Sequence, residues 1–193
     1  MADPILSGLD GETVVSDPVK KARTCAIKEH GKQMYGDQPY IAHLDAVHDL
    51  LVGYGVQEEA VRVAAYLHDI LEDTEYPFWK LLTEHGFAAS EVVIFCTDEK
   101  GPSRRVRKQL TYDRIREFLD KKREGSRETI IRCVLVKLAD RVSNIRNCVA
   151  NNPRLLDMYL KEKKAFKDAL LLSPSKSTPQ LDLMWAEYDR LLG

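Results

Sequence analysis

The sequence predicts an all-α fold, on three observations. Apolar residues recur at three- and four-residue spacing through most of the 193 residues, the period of a helix with one buried face. Helix-starting and helix-stopping residues fall between those stretches. No segment shows convincing strand alternation, and there is no internal repeat.

The elements follow in order. Residues 1–16 read as a loose arm. Ser16-Asp17-Pro18 starts a helix, with proline in the first turn, where its missing N–H costs nothing; the helix runs through "VKKARTCAIKEH" and stops near Gly31. "GKQMYGDQPY" reads as a loop with Gly36-Asp37 as its breaker. Pro39 opens a second helix, "YIAHLDAVHDLLVGYG", closed by Gly53 and Gly55. "QEEAVRVAAYLHDILEDT" is predicted as one continuous third helix. "FWKLLTEHG" and "ASEVVIFCTDE" are shorter helices, "KGPSRRVRKQ" a loop, and "LTYDRIREFLDKKR" a helix. "RETIIRCVLVKLADRVSNIRNCVA" contains the ambiguous run "IIRCVLV", whose β-branched residues favour strands; its continuation at helical period decides for helix. After Asn151-Asn152-Pro153, "LLDMYLKEKKAFKDALLL" is another helix, "SPSKSTPQ" a polar linker and "LDLMWAEYDRLL" a short terminal helix. The expected organisation is a flexible arm (1–16), one domain (17–172), and a linker with a C-terminal helix packed on that domain (173–193).

Composition narrows the function. A net charge of −1 gives no support for bulk binding of nucleic acid. No stretch approaches the length needed to span a bilayer, and the N-terminus has no basic, then apolar, signal pattern. Cys25, Cys96, Cys133 and Cys148 are widely spaced and form no CxxC pair, which suits free thiols in a reducing compartment, the cytoplasm by default. A homo-oligomer is left open.

Two polar stripes interrupt apolar helices. At about 100° per residue, His68, Asp69, Glu72 and Asp73 fall within an arc of roughly 140°. Burying such charge without a partner is costly, so either this face is solvated or something positive sits against it. The second stripe, Lys137, Asp140, Asn144 and Asn147, recurs at helical spacing along "VLVKLADRVSNIRN"; its two amides both donate and accept, which suits a ribose or a base. His43 lies early in its own helix. Taken singly, each has an ordinary reading: a lone histidine is more often structural, and an Asp-Arg pair on a helix is more often a surface salt bridge. Together, a histidine, a His-Asp pair about 25 residues on and an aspartate about 70 residues further supply two nitrogens and two oxygens. That set suits manganese, iron or zinc.

This conjunction resembles the HD-domain phosphohydrolase pattern. "PYIAH", "AAYLHDILEDT" and "VLVKLADRVSNIRN" look like the hydrolase domain of the RelA/SpoT family, over roughly residues 18–170. The short chain is similar to the family's single-domain members, the small alarmone hydrolases, and "TDEKGPSRRVRKQL" to the basic segment of the animal members. The resemblance implies an HD-domain helical bundle. It also implies a manganese ion held by His43, His68, Asp69 and Asp140, water activated by Glu72 and Asp73, and substrate contact at Asn144. The family reaction removes pyrophosphate from the ribose 3′ position of ppGpp or pppGpp. Lys100, Arg104, Arg105, Arg107 and Lys108 are candidates to gather around the outer phosphates, the alternative being a solvated surface loop; Lys32, Tyr35 and Lys137 are further substrate-binding candidates. Asn147 stands where threonine is usual, and Leu44 where proline is usual. Where the family carries an adjacent basic pair before "PYIxH", this chain has Met34 and Tyr35, leaving base preference open. An adenine alarmone such as ppApp, or the 2′-phosphate of NADPH, is the alternative substrate; a non-catalytic nucleotide-binding module is the alternative class.

Overall fold

The computed structural model describes residues 16–121 and 127–193; the arm expected at 1–16 lies outside them except for Ser16. Among the described residues the chain is a helical bundle with one minimal hairpin. Helix α1 (Asp17–His30) begins after Ser16 and ends at Gly31, whose φ of +54° breaks the ladder. Strands β1 (Met34–Tyr35) and β2 (Gln38–Pro39) pair antiparallel, Met34 opposite Pro39 and Tyr35 opposite Gln38. Then come α2 (Ile41–Gly53), α3 (Glu59–Leu67), α4 (Ile70–Asp73), α5 (Phe78–His85), α6 (Phe87–Cys96) and α7 (Arg104–Lys121). The chain ends with α8 (Arg127–Asn151), α9 (Leu156–Leu170) and α10 (Pro179–Leu192).

Helix α8 is the axis of the bundle. It packs against α2, α3, α6, α9 and α10, while α1 lies on α3 and α7 on α9. Val134, Leu138, Ala139, Val142 and Ile145 of α8 are fully buried, and removing such side chains from water is the main stabilising term. The run "IIRCVLV" is helical because its neighbours surround it on nearly every side, so burial outweighs its β-branched preference. Helix α10 buries Leu181, Met184, Trp185 and Tyr188, and Thr178 caps it by accepting from the Leu181 N–H at 3.3 Å.

The structure departs from the sequence expectation in three places. The third helix is not continuous: it stops at Leu67 and resumes at Ile70. Asp69 sits at φ −101°, ψ −2°, the sparsely populated bridge between the α and β regions. Neighbouring side chains on an unbroken helix point about 100° apart; the break lets His68 and Asp69 aim at one point. Second, the basic segment is helix from Arg104 onward, because Pro102-Ser103 is itself a helix start, with Ser103 accepting from the Arg107 N–H at 2.9 Å. Third, "GKQMYGDQPY" is a hairpin turned at Gly36 (φ +64°), and α2 starts at Ile41, after Pro39 has been used in β2.

Candidate active site

His43 projects from the first turn of α2, His68 and Asp69 from the α3–α4 break, and Asp140 from the middle of α8. Their polar atoms converge. His68 Nε2 lies 3.1 Å from Asp69 Oδ2 and 3.7 Å from Asp140 Oδ1. His43 Nε2 lies 3.4 Å from Asp140 Oδ1 and 3.8 Å from Asp69 Oδ2. One ligand atom each from His43, His68 and Asp69 lies within 4.8 Å of the others. Both histidines are buried. His68 Nδ1 meets the Ala65 carbonyl at 2.9 Å, so in the neutral ring that nitrogen carries the proton and Nε2 turns its lone pair to the cluster, the tautomer that a metal-ligating histidine needs. His68 Nε2 has no hydrogen-bond partner of its own.

The two carboxylates draw positive charge to this point. Burial disfavours charge on His68, but Asp69 and Asp140 outweigh it and lift its pKa well above the usual imidazole range. Burial likewise opposes ionisation of the two carboxyls, yet the facing histidines hold both well below the ordinary carboxylate value. Two partly buried carboxylates facing two buried imidazoles are a mixed oxygen and nitrogen donor set that suits a divalent cation.

The hairpin braces this cluster. The Tyr40 hydroxyl donates to Asp69 Oδ2 at 2.5 Å, with its ring stacked on His30. Tyr35 stacks on His43, centroids 4.7 Å apart, and donates its hydroxyl to Asn144 Oδ1 at 2.7 Å. Asn144 Nδ2 in turn donates to Asp140 Oδ1 at 2.5 Å. Gln33 Nε2 donates to Asp73 Oδ2 at 2.7 Å. Tyr35 and Asn144, expected to face the substrate, are thus joined to each other and to the cluster.

Glu72 stands at the mouth of the site and accepts from the Asp98 N–H at 2.5 Å. Loss of hydration among crowded side chains pushes its pKa up to about 7; Lys137 pulls it down, while Asp69 and Asp98 add to the rise. Asp98 is itself clasped by Lys108 Nζ at 2.5 Å and Lys137 Nζ at 3.3 Å, and Lys137 also donates to the Cys96 carbonyl. Arg104, Arg107 and Lys108 of α7, with Lys137 and Arg141 of α8, form a cationic wall around a cavity of about 260 Å³ that contains Glu72, Asp73, Asp140 and Asn144. Arg104 and Arg141 share Glu162 of α9; Arg107 has no ion-pair partner among the described residues.

Some expected residues lie elsewhere. Lys100 is exposed and lines the adjoining groove beside Glu72 and Asp73. Lys32 is exposed on the turn before the hairpin and Asn147 is half-buried, accepting from Asn151 at 2.6 Å; neither lines the cavity. Residues not anticipated do reach it: Tyr40, Asp98, Arg141 and Tyr159 line it, and Gln33 holds Asp73. Only Tyr40 had a readable signal, lying three residues before His43 on the same helix face.

A helical bundle that gathers a histidine and a consecutive His-Asp pair, with a distant aspartate against both histidines, has the donor set of a metal-centre protein. The model of the HD domain matches residues 22–163. The chain belongs to the HD domain family, as its motifs implied. It is 30% identical over 118 residues to the guanosine-3′,5′-bis(diphosphate) 3′-pyrophosphohydrolase of Drosophila melanogaster, covering 61% of this chain and 60% of that protein. Against the Xenopus tropicalis protein of the same name it is 30% identical over 133 residues, 67% of this chain and 68% of that one. It is 33% identical over 116 residues to the Haemophilus influenzae protein of that description, 60% of this chain but 16% of that one. The solved structure of a metazoan SpoT orthologue that hydrolyses ppGpp and plays a role in starvation responses superimposes with a TM-score of 0.70 at 26% identity, covering 94% of this chain and 99% of that one.

Proposed function

We propose that this protein is a manganese-dependent phosphohydrolase that removes the 3′-pyrophosphate of (p)ppGpp, acting in the cytoplasm on a small nucleotide rather than on nucleic acid or at a membrane. The observation that carries this reading is the convergence of His43, His68, Asp69 and Asp140, with Glu72 and Asp73 beside them and a cationic wall opposite. The named activity of the relatives supports it.

In this reading the two histidines and two aspartates hold the cation, and their mixed nitrogen and oxygen donors fit manganese, with iron or zinc as chemically adjacent choices. When bound, such a cation lowers the pKa of water at the site and offsets phosphoryl charge. Glu72 takes a proton from the attacking water, and Asp73, fixed by Gln33, orients it. The water oxygen bonds to phosphorus, the bond from phosphorus to O3′ breaks, and O3′ takes up the proton that Glu72 gives back, ending as the ribose hydroxyl. Arg107 and Lys137 face the charge that develops on the phosphoryl oxygens.

One observation favours a broader substrate range. Met34 is exposed and Tyr35 is spent on His43 and Asn144, so the hairpin offers no cation pair for a guanine edge; ppApp and NADPH remain substrates to compare. The presence of Glu72 and Asp73 beside a full donor set weighs against a purely binding role.

The test is turnover of ppGpp by purified protein, with and without manganese, followed as GDP and pyrophosphate. Activity should appear with metal and vanish on chelation. His68→Ala and Asp69→Ala should each lose bound metal and activity together. An Asp69→Ala protein with full metal content and unchanged turnover would remove the site as drawn.

A further inference from the structure

The catalytic cavity, at about 260 Å³, is smaller than a pocket for a whole small molecule, typically about 300–1,000 Å³. The rest of a nucleotide must therefore occupy neighbouring space, and two grooves adjoin. One, of about 530 Å³, is dominated by carboxylates: Glu72, Asp73, Glu75, Asp98 and Glu99 face Lys100 and Arg107. The other, of about 640 Å³, runs between α7 and α9 and shares Arg104 and Lys108 with the catalytic cavity, so the two adjoin. Its further cations, Arg105, Arg154 and Lys161, have no ion-pair partner among the described residues. Of its two carboxylates, Glu162 is committed to Arg104 and Arg141, leaving Asp157. A local excess of cations in a chain of net charge −1 is a focused field for an anion. Its apolar floor, with Tyr112 and Met158, leaves the charge concentrated at the rim.

We infer that the groove between α7 and α9 seats the phosphate group of the substrate remote from the scissile bond, making Arg154 and Lys161 specificity-determining residues. This rests on the hydrolase reading above. For a substrate carrying pyrophosphate at 3′, the remote group is the 5′-diphosphate.

The experiment compares kcat/KM for ppGpp and for guanosine 3′-diphosphate, which lacks the 5′-phosphates, in the manganese-loaded wild type and in Arg154→Ala/Lys161→Ala. Wild type should prefer ppGpp. Loss of two charge-assisted contacts should lower kcat/KM for ppGpp at least about tenfold more than for the truncated substrate. The change should fall mainly in KM, and Arg154→Lys/Lys161→Arg should restore the preference. Equal losses on both substrates, or none, would overturn the inference. If wild type turns over neither compound, the hydrolase reading is what has failed; the seat is then judged by binding affinity, and a variant that weakens ppGpp and truncated compound alike rules it out.

Discussion

Glu72 and Tyr35 show how the site divides labour residue by residue. Glu72 accepts an N–H from Asp98 and sits outside the four converging donors, so its removal should leave the metal in place. Glu72→Gln is expected to keep metal content, measured by elemental analysis, while turnover falls by about 10²–10⁴-fold, the scale of a general acid–base group; loss of metal would instead make Glu72 a ligand. Tyr35 braces His43 and Asn144, and Met34 offers no donor to a guanine carbonyl. Discrimination by a base pocket needs groups that pair with base edges. The kcat/KM values for ppGpp and ppApp should therefore lie within about tenfold of each other, about 1.4 kcal/mol. A thousandfold preference for ppGpp would show that other groups read the base.

At the scale of elements, the two arginines of the cavity wall that pair with a carboxylate share one on a neighbouring helix. Glu162 of α9 accepts from Arg141 Nη1 of α8 at 2.7 Å and from Arg104 Nε of α7 at 2.8 Å. Arg141 also reaches the Tyr112 hydroxyl at 2.9 Å and lies over the Phe166 ring. Both members of the Arg141–Glu162 pair are largely buried. Removing one partner leaves the other charged and unpaired, so Glu162→Ala should cost about 3–5 kcal/mol in urea unfolding. The pair is also pH-dependent. Burial opposes ionisation of Glu162, but Arg141 and Arg104 outweigh it and hold its pKa below the ordinary 4.5. Its contribution is therefore present above pH 4.5 and lost as pH falls through the lowered folded value. The stability difference between wild type and Glu162→Gln should shrink on acidification across that window; a difference constant from neutrality to strong acid would exclude this linkage.

For the molecule as a whole, the proposed ligands come from α2, the α3–α4 break and α8, so the site exists only while those elements stay packed. Helix α10 contributes no residue to the site, yet it covers α8 with fully buried Met184 and Tyr188. Met184→Ala should lower unfolding stability by about 2–5 kcal/mol through the cavity it leaves, while kcat for ppGpp at a temperature where the variant is folded stays close to wild type. A large loss of kcat in a folded Met184→Ala protein would mean that α10 tunes the site as well as supporting it.

What the sequence determined by itself was whatever depends on local pattern. Apolar periodicity and the punctuation at Ser16-Asp17-Pro18, Gly31 and Asn151-Asn152-Pro153 were enough for the helices. The spacing of His43, His68, Asp69 and Asp140 was enough to nominate the donor set, because each residue sits in a short stretch that carries its own signal. Only the tertiary structure decided the rest. The break at His68-Asp69 is invisible to periodicity, since the apolar pattern continues across it; it is tolerated where two neighbouring side chains must turn toward one partner. Tyr35 and Gln33 read as loop residues until the hairpin folds over α2 and α8 and gives them His43, Asn144 and Asp73 as partners. Arg104 and Arg141, 37 residues apart in the chain, became one wall because a third helix brought Glu162 between them. A local pattern records which face of a helix is apolar, but the partner of a buried charge lies on another element, and its position is set only when the elements pack.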